Sequence, residues 1–333
     1  MTEQFKQINL VQRPDGGPIG PHMFDVVEQS IPTLADGELL IKQSHMSLDP
    51  AMLGWMMPSE DSYIPPVALN SRMRSSGVGV VVESNNPNFV KGDQVMGMMG
   101  WTEYHVSNGT DVNKIDAQIT PEMALCVFGL PGLTAVQGLY SIGEPKSGET
   151  IVVTGAAGSV GSIVGQLAKA DGLNVIGVVG SDEKADWIVN ELGFDGAINY
   201  KSDDLAGQLD ALAPNGVDVF FENTGGPIQH AIFERMNAHG RIAVCGMIAD
   251  YTAAVPSAGP NWMRLITKRI KVQGFTMPDH LHNAPALLEK LTPYVMKGQV
   301  KYRAHSLHGI ESAMTGLNLF FTGENKGKLL VEL

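Results

Sequence analysis

The sequence predicts an α/β protein in which a β-rich region precedes a parallel, doubly wound sheet. After about residue 150, short β-branched runs alternate with helical patterns, as a sheet built from successive β–α units requires. Before residue 125, strand-like runs are separated by glycine and proline, and no helical pattern exceeds a couple of turns. The two parts of the chain therefore predict different architectures.

Composition limits the classes of function. The 333 residues, 44% hydrophobic and 17% charged, fit a globular protein of about two domains. A net charge of −12 disfavours nucleic acid as a partner, because a general nucleic-acid binder needs basic patches. We expect no apolar run that reaches the length of a membrane span, and no signal peptide, and hence a cytoplasmic protein. The two cysteines, Cys126 and Cys245, are too few for a Cys-based zinc site and are expected to be buried thiols.

The β-rich region contains several predicted strands. Residues 38–44 and 77–83 have strand-like patterns, and a turn at residues 91–93 leads into a third strand that ends at residue 96. Residues 101–106 are typical of an edge or interface strand. These runs predict a compact β domain.

A Met- and Trp-rich segment, residues 47–58, interrupts these strands. It fits either a pocket wall for an apolar ligand or a small core beneath a long loop, and both interpretations remain open. Tyr63, beside two prolines, is the phenol of this region that could face a ligand. His45 has no Cys or Glu near it in sequence, so a structural role is favoured over a metal ligand.

The second part of the chain is organised around residues 150–169. Residues 151–154 are β-branched and suit a strand buried on both faces. The turn from Gly155 to Gly161 allows the backbone to approach a ligand closely, and a helix from about Ser159 would direct its N–H groups and positive dipole end toward it. The spacing is A-x-G-x-x-G instead of G-x-G-x-x-G, so a tight turn without a ligand is the alternative.

Further alternating elements follow this turn. The predicted strands are residues 174–179, 196–200, 217–221, 240–247 and 270–274. The predicted helices are residues 182–192, 203–212, 228–236, 262–269 and 283–297, with a connecting helix at 124–140 before them. In such a sheet a ligand binds beyond the carboxyl ends of the strands.

The end of the predicted strand at residues 174–179 favours NADP over NAD as the cofactor. NAD-binding proteins place an acid there to bind the ribose hydroxyl groups, but this chain has Gly180. Ser181 and Lys184 could bind a phosphate through a hydroxyl and an ammonium group. Asp182 and Glu183 are explained as first-turn acids that complement the helix dipole.

Several motifs carry a resemblance to a known family. They are residues 156–162 (AAGSVGS), 180–184 (GSDEK), 199–201 (NYK), 222–226 (ENTGG), 245–248 (CGMI), 47–50 (SLDP) and 325–328 (NKGK). Together they resemble the medium-chain dehydrogenase/reductase superfamily, and within it the zinc-independent double-bond reductases: prostaglandin and leukotriene reductases, plant alkenal reductases and bacterial curcumin reductases. The resemblance covers nearly the whole chain.

The resemblance implies a GroES-like catalytic domain, residues 1–125 with 300–333, and a Rossmann NADP-binding domain, residues 126–299. It also implies a homodimer. The implied cofactor-binding residues are Ala157, Gly158, Ser159 and Val160 at the diphosphate, Ser181, Lys184 and Tyr200 at the 2′-phosphate, and Asn223, Cys245, Met247, Tyr251, Phe275 and Asn325 at the nicotinamide half.

The resemblance also implies the reaction. Zinc-dependent relatives carry a catalytic Cys near residues 45–49, a Gly-His-Glu motif and a four-Cys lobe, and this sequence has none of them. Without such a Lewis acid, reduction of a small apolar α,β-unsaturated ketone or aldehyde by NADPH fits better than alcohol oxidation. Hydride would pass to the β-carbon, followed by protonation of the enolate. A zinc-independent quinone reductase and a non-catalytic NADPH-binding redox sensor are the alternatives.

Two phenols are candidates for stabilising the enolate. The resemblance favours Tyr251, with Tyr63 second, because a phenol stays protonated and can donate at neutral pH. Packing of Tyr251 on the cofactor is the alternative. The family often has Tyr and Arg where this chain has Ala51 and Leu53, which implies a larger and more apolar pocket entrance.

Overall fold

The computed structural model describes residues 4–58, 62–201, 204–251, 253 and 255–333. The chain divides into two compact units: a first unit, Met1–Cys126 with Ala304–Leu333, and a second unit, Val127–Arg303. The boundaries implied by the family resemblance lie at residues 125/126 and 299/300, close to these divisions.

The described residues form strands and short helices in the following order along the chain. The strands are β1 (Gln4–Leu10), β2 (Phe24–Ser30), β3 (Leu39–Ser47), β4 (Ser71–Arg72), β5 (Gly77–Ser84), β6 (Gln94–Gly97), β7 (Tyr104–Ser107), β8 (Val112–Lys114), β9 (Thr150–Thr154), β10 (Asn174–Val179), β11 (Gly196–Asn199), β12 (Val217–Glu222), β13 (Met236–Val244), β14 (Lys271–Gly274), β15 (Ala304–His308) and β16 (Lys328–Glu332). The α-helices are α1 (Met52–Met56), α2 (Pro121–Met123), α3 (Leu130–Val136), α4 (Ser159–Ala170), α5 (Asp182–Asn190), α6 (Leu205–Leu212), α7 (Gly226–Phe233), α8 (Met263–Lys268), α9 (Ala284–Met296), α10 (Ala313–Gly316) and α11 (Leu319–Thr322).

The first unit is β-rich. Its described strands form a small sheet in the order β2-β1-β4 and a larger one in the order β15-β16-β3-β5-β6-β8, with β7 also paired to β3. Strand β16, from the end of the chain, pairs antiparallel with β3, so that Leu330 lies opposite Ser47. Apolar side chains from both parts of the chain, including Met46, Trp101 and Leu329, form one buried core.

The second unit contains the predicted doubly wound sheet. Its described strands are all parallel, in the order β11-β10-β9-β12-β13-β14. The strand order reverses between β9 and β12, which is the point at which sheets of this class bind a ligand. Val152, Phe220 and Ile242 are buried on neighbouring strands and form the centre of the core. The predicted fold class is confirmed.

Some predicted boundaries are wrong. The helix expected to reach residue 236 ends at Phe233, because Met236 pairs with Val217 and begins β13. Residue 203, the predicted start of the helix that was expected to end at residue 212, lies outside the described residues. Helix α6 begins at Leu205, where the Asp204 side chain accepts a hydrogen bond from the backbone N–H of Gly207.

The connecting helix is longer than the sequence suggested. Helical turns run through Pro121–Gly143, and this segment has a mean hydropathy of 1.4, so it is long and apolar enough to span a bilayer. The expectation that the chain has no apolar run of that length is therefore wrong. About 72% of its apolar 18-residue window is buried, as in the core helix of a globular protein.

Candidate active site

The glycine-rich turn joins β9 to α4. Gly155 has a φ of +58°, in the left-handed region that favours glycine. Gly158 occupies the position before the helix and has no side chain to cap it, so the first N–H groups of α4 remain open to an anion. Ala157 is buried, whereas Ser159 and Val160 are partly exposed beside these groups. The turn has the features of a diphosphate site.

Gly161 sets how closely α4 approaches this turn. A Cβ atom at this position would lie 2.5 Å from the carbonyl oxygen of Gly155 and 2.9 Å from the Cα of Ala156. Both contacts are with backbone, so no side chain could move aside. The last glycine of the A-x-G-x-x-G pattern is therefore needed for packing of the helix against the turn.

The predicted 2′-phosphate residues lie together after the neighbouring strands β10 and β11. The Ser181 hydroxyl accepts a hydrogen bond from the backbone N–H of Lys184 at 3.3 Å and so caps α5, which leaves its own O–H available as a donor. A Cβ atom on Gly180 would lie 3.1 Å from the ring of Tyr200. The structure therefore brings Gly180, Ser181, Lys184 and Tyr200 to one edge of the sheet.

A buried polar network joins the ends of β9 and β12. The Thr154 hydroxyl donates to Glu222 Oε1 at 2.7 Å and accepts the backbone N–H of Asn223 at 2.8 Å. The side-chain amide of Asn223 donates to the Thr154 carbonyl at 2.7 Å. Sequence reasoning selected Asn223 but missed Thr154 and Glu222; an acid at the end of an apolar buried strand was the available signal.

Tyr251 lies in the loop that follows β13. A Cβ atom on Gly246 would be 3.1 Å from the Tyr251 hydroxyl, and 41% of Tyr251 is exposed. The N–H groups of Cys245 and Gly246 both donate to the backbone carbonyl of Glu222, at 2.9 and 3.2 Å, which ties this loop to β12. Met247 packs beside Gly225, with its Cε atom 3.2 Å from the position a Cβ would take.

The thiol of Cys245 is unreactive. Although the residue keeps some accessible surface, burial of its thiol and the nearby Glu222 raise its pKa to about 12. It is therefore protonated at neutral pH and is not a nucleophile. Phe275 follows β14 nearby in the second unit, and its N–H donates to the Val244 carbonyl at 3.3 Å. The side chains predicted for the nicotinamide half thus follow the carboxyl ends of neighbouring strands, except Asn325.

Tyr63 belongs to the first unit. Its hydroxyl accepts a hydrogen bond from the buried indole N–H of Trp55 at 3.2 Å, and 53% of the residue is exposed. Because the indole can only donate, the phenol proton of Tyr63 remains free to be donated elsewhere. Tyr63 is therefore held as a hydrogen-bond donor facing solvent.

The Met- and Trp-rich segment forms core instead of pocket wall. Met52, Leu53 and Met56 of α1 are buried in the main cluster of the first unit, and Ala51 packs against it. The Leu53 side chain packs into this core. Residues 59–61, which follow the segment, lie outside the described residues.

Two motifs from opposite ends of the chain meet in the first unit. The buried ammonium group of Lys328 donates to the Leu48 carbonyl at 2.5 Å and to Asp49 Oδ1 at 3.0 Å, while the Ser47 hydroxyl donates to Asp49 Oδ2. A buried charge needs such pairing. Asn325 precedes strand β16, and its side-chain amide donates to the carbonyl of Gly327 at 3.3 Å.

His45 has a polar environment without a metal-binding set. Its Nε2 lies 3.9 Å from Glu122 Oε1, and its Nδ1 lies 3.0 Å from the Ser44 hydroxyl. Within the part of the chain that the structure describes, no three or more His, Cys, Asp or Glu side chains are grouped so that they could hold a metal ion.

Comparison with known proteins identifies the family. Residues 6–115 match the family model described as the N-terminal domain of oxidoreductase, and residues 159–292 match the model described as zinc-binding dehydrogenase. The NADPH-dependent curcumin reductase of Escherichia coli (strain K12) is 38% identical over 99% of this chain and 98% of its own length. The NADP(+)-dependent 2-alkenal reductase of Nicotiana tabacum is 41% identical over 88% of this chain and 87% of its own length.

A solved structure agrees with these relatives. CurA from Vibrio vulnificus in complex with NADPH has a TM-score of 0.92 and 38% identity, with 98% of both chains covered. The matched region covers 98% of this chain and therefore extends over both units. The chain therefore belongs to the medium-chain dehydrogenase/reductase superfamily, in its double-bond reductase subgroup.

Proposed function

We propose that this protein is an enzyme that uses NADPH to reduce the carbon–carbon double bond of small, apolar α,β-unsaturated ketones or aldehydes. The observation that carries the proposal is the full-length similarity to a curcumin reductase and to a 2-alkenal reductase, both NADPH- or NADP-dependent by name. The uncapped amino end of α4 beside a glycine turn is independent support, because it suits a dinucleotide diphosphate.

The residues after β10 and β11 fit the 2′-phosphate that distinguishes NADP from NAD. Gly180 presents no carboxylate to repel it, and Ser181, Lys184 and Tyr200 supply a hydroxyl, an ammonium group and a phenol. We propose that Ala157 to Val160 bind the diphosphate through their backbone. When bound, NADPH supplies the hydride for the β-carbon.

Tyr251 is proposed to act on the substrate oxygen, and Tyr63 is the second candidate for the same role. As electrons shift toward that oxygen it gains negative charge, and a phenol that donates a hydrogen bond stabilises it. Tyr63 suits this task because Trp55 occupies one acceptor position of its hydroxyl and leaves its proton free. Tyr251 suits it because it is partly exposed in the loop after β13, whose backbone is tied to β12.

The reaction is proposed to need no zinc, since the sequence has two cysteines and lacks the motifs of zinc-dependent relatives. We also propose a cytoplasmic homodimer. The dimer is supported by the exposed edge strand β14, and by Trp262, Met263 and Ile266, whose large apolar side chains are exposed nearby in the chain.

The test is the oxidation of NADPH with a panel of enones, enals and quinones as acceptors. The proposal predicts turnover with enones and enals and formation of the saturated carbonyl compound. Activity with quinones alone would favour a quinone reductase and contradict the proposal. NADPH binding without oxidation by any acceptor would instead identify a sensor.

A further inference from the structure

Glu222, the last residue of β12, is an unusual buried acid. It has no exposed surface. Its Oε1 accepts hydrogen bonds from the Thr154 hydroxyl at 2.7 Å, the Thr224 N–H at 2.6 Å and the Gly225 N–H at 3.1 Å. Among the described residues, its buried Oε2 has no hydrogen-bond partner. A buried carboxylate with one unpaired oxygen is costly, so stability alone is a poor reason for this residue.

The network leads from Glu222 to Asn223. Thr154 connects the two residues, because its hydroxyl donates to Glu222 and accepts from the backbone N–H of Asn223. The same residue's carbonyl accepts from the Asn223 side chain at 2.7 Å. A carbonyl can only accept, so the group facing it must be the amide nitrogen of Asn223.

That assignment orients the Asn223 amide. One of its two N–H groups donates to the Thr154 carbonyl, and its Oδ1 is the side-chain atom that can accept a hydrogen bond from a ligand. This residue lies where the strand order reverses, between β9 and β12, beside the glycine turn: a Cβ on Gly155 would be 3.4 Å from the Asn223 Cβ. An acceptor in this place suits an N–H or O–H donor, such as a carboxamide or a ribose hydroxyl.

We propose that Glu222 is a positioning residue which, through Thr154, holds Asn223 so that its Oδ1 accepts a hydrogen bond from the nicotinamide half of NADPH. The inference rests on the proposed cofactor. It assigns to Glu222 and Thr154 a role in cofactor affinity that is separate from any role in stability.

The chain offers a matched control on the same strand. Asp218, near the start of β12, also bridges to β9: its Oδ2 accepts the Thr150 N–H at 2.9 Å, and its Oδ1 accepts from the Asn237 amide at 2.8 Å. Asp218→Ala thus removes a carboxylate that links the same two strands, at the end opposite to the predicted ligand site.

The experiment measures the dissociation constant of NADPH by fluorescence, and the melting temperature, for each variant. Glu222→Ala and Thr154→Val should each weaken NADPH binding by about tenfold, the loss of roughly one hydrogen bond. Thr154→Ser, which keeps the hydroxyl, should bind like the wild type. Asn223→Ala should weaken binding similarly, and adding Glu222→Ala to it should change the dissociation constant little further. Asp218→Ala should lower the melting temperature without changing affinity.

Two outcomes would overturn the inference. One is wild-type affinity in both Glu222→Ala and Thr154→Val, which would leave the network a structural role only. The other is additive losses in the Glu222→Ala/Asn223→Ala double variant, which would show that Glu222 does not act through Asn223. If Glu222→Ala fails to fold, the contrast between Thr154→Val and Thr154→Ser decides. These binding measurements need no acceptor substrate, so they are separate from a failure of the proposed enone reduction.

Discussion

Replacement of Gly161 by alanine should disturb both the stability and the cofactor affinity of the second unit. The added Cβ would lie 2.5 Å from the Gly155 carbonyl oxygen, whereas ordinary contact begins at 3.4 Å, so the backbone must retreat by about 0.9 Å. Overpacking of this kind costs about 1–3 kcal/mol. For a unit of this size, that cost lowers the melting temperature by roughly 2–12 °C.

The same shift moves the amino end of α4 away from the diphosphate it is proposed to bind. We therefore expect the dissociation constant of NADPH to rise by about tenfold or more, because displaced N–H groups lose charge-assisted hydrogen bonds. Thermal denaturation and NADPH fluorescence titration measure the two effects. Gly54→Ala is the control, since a Cβ there meets nothing within 4 Å. A Gly161→Ala variant with wild-type stability and affinity would refute the packing argument.

Three further predictions test other residues. Lys184→Ala should raise the Michaelis constant for NADPH by about tenfold and leave that for NADH nearly unchanged, and equal losses for both would show that the 2′-phosphate lies elsewhere. Tyr251→Phe should lower turnover by on the order of 10²-fold with little change in NADPH affinity, whereas unchanged turnover would assign Tyr251 to packing. Cys126 has its pKa raised from 9.0 to about 12, chiefly by burial. The unfolded thiol therefore ionises first, and the free energy of unfolding should fall between pH 9 and 12. In Cys126→Ala this fall should be shallower by up to about 1.4 kcal/mol per pH unit, and an unchanged slope would contradict the assignment.

The sheet of the second unit could be predicted because its strands are buried on both faces. Runs such as residues 151–154 and 174–179 are β-branched or apolar throughout, and each is followed by a helical pattern. Strand β1 (Gln4–Leu10) was missed because its pattern mixes polar and apolar residues and one of its partners, β4, is remote in sequence. Pairing of β16 with β3 likewise depends on contacts across the length of the chain.

The candidate site was predictable where its residues lie close together in the sequence. The glycine turn and the Gly180–Lys184 segment are local, so their spacing already indicates which atoms come together. Glu222 gave a signal that was missed, an acid at the end of an apolar strand. Thr154 could not be recognised, because its hydroxyl meets Glu222 only when the sheet sets β9 beside β12. The pairing of Lys328 with Asp49 also arises only from the fold.

The most direct test of the account follows the hydride. The protein would be supplied with NADPH that carries deuterium at the transferred position, together with a simple enone, and the product would be examined by nuclear magnetic resonance. The account predicts a saturated ketone with deuterium on its β-carbon. An allylic alcohol with deuterium on the former carbonyl carbon would contradict it, because the enzyme would then reduce the carbonyl group instead of the double bond.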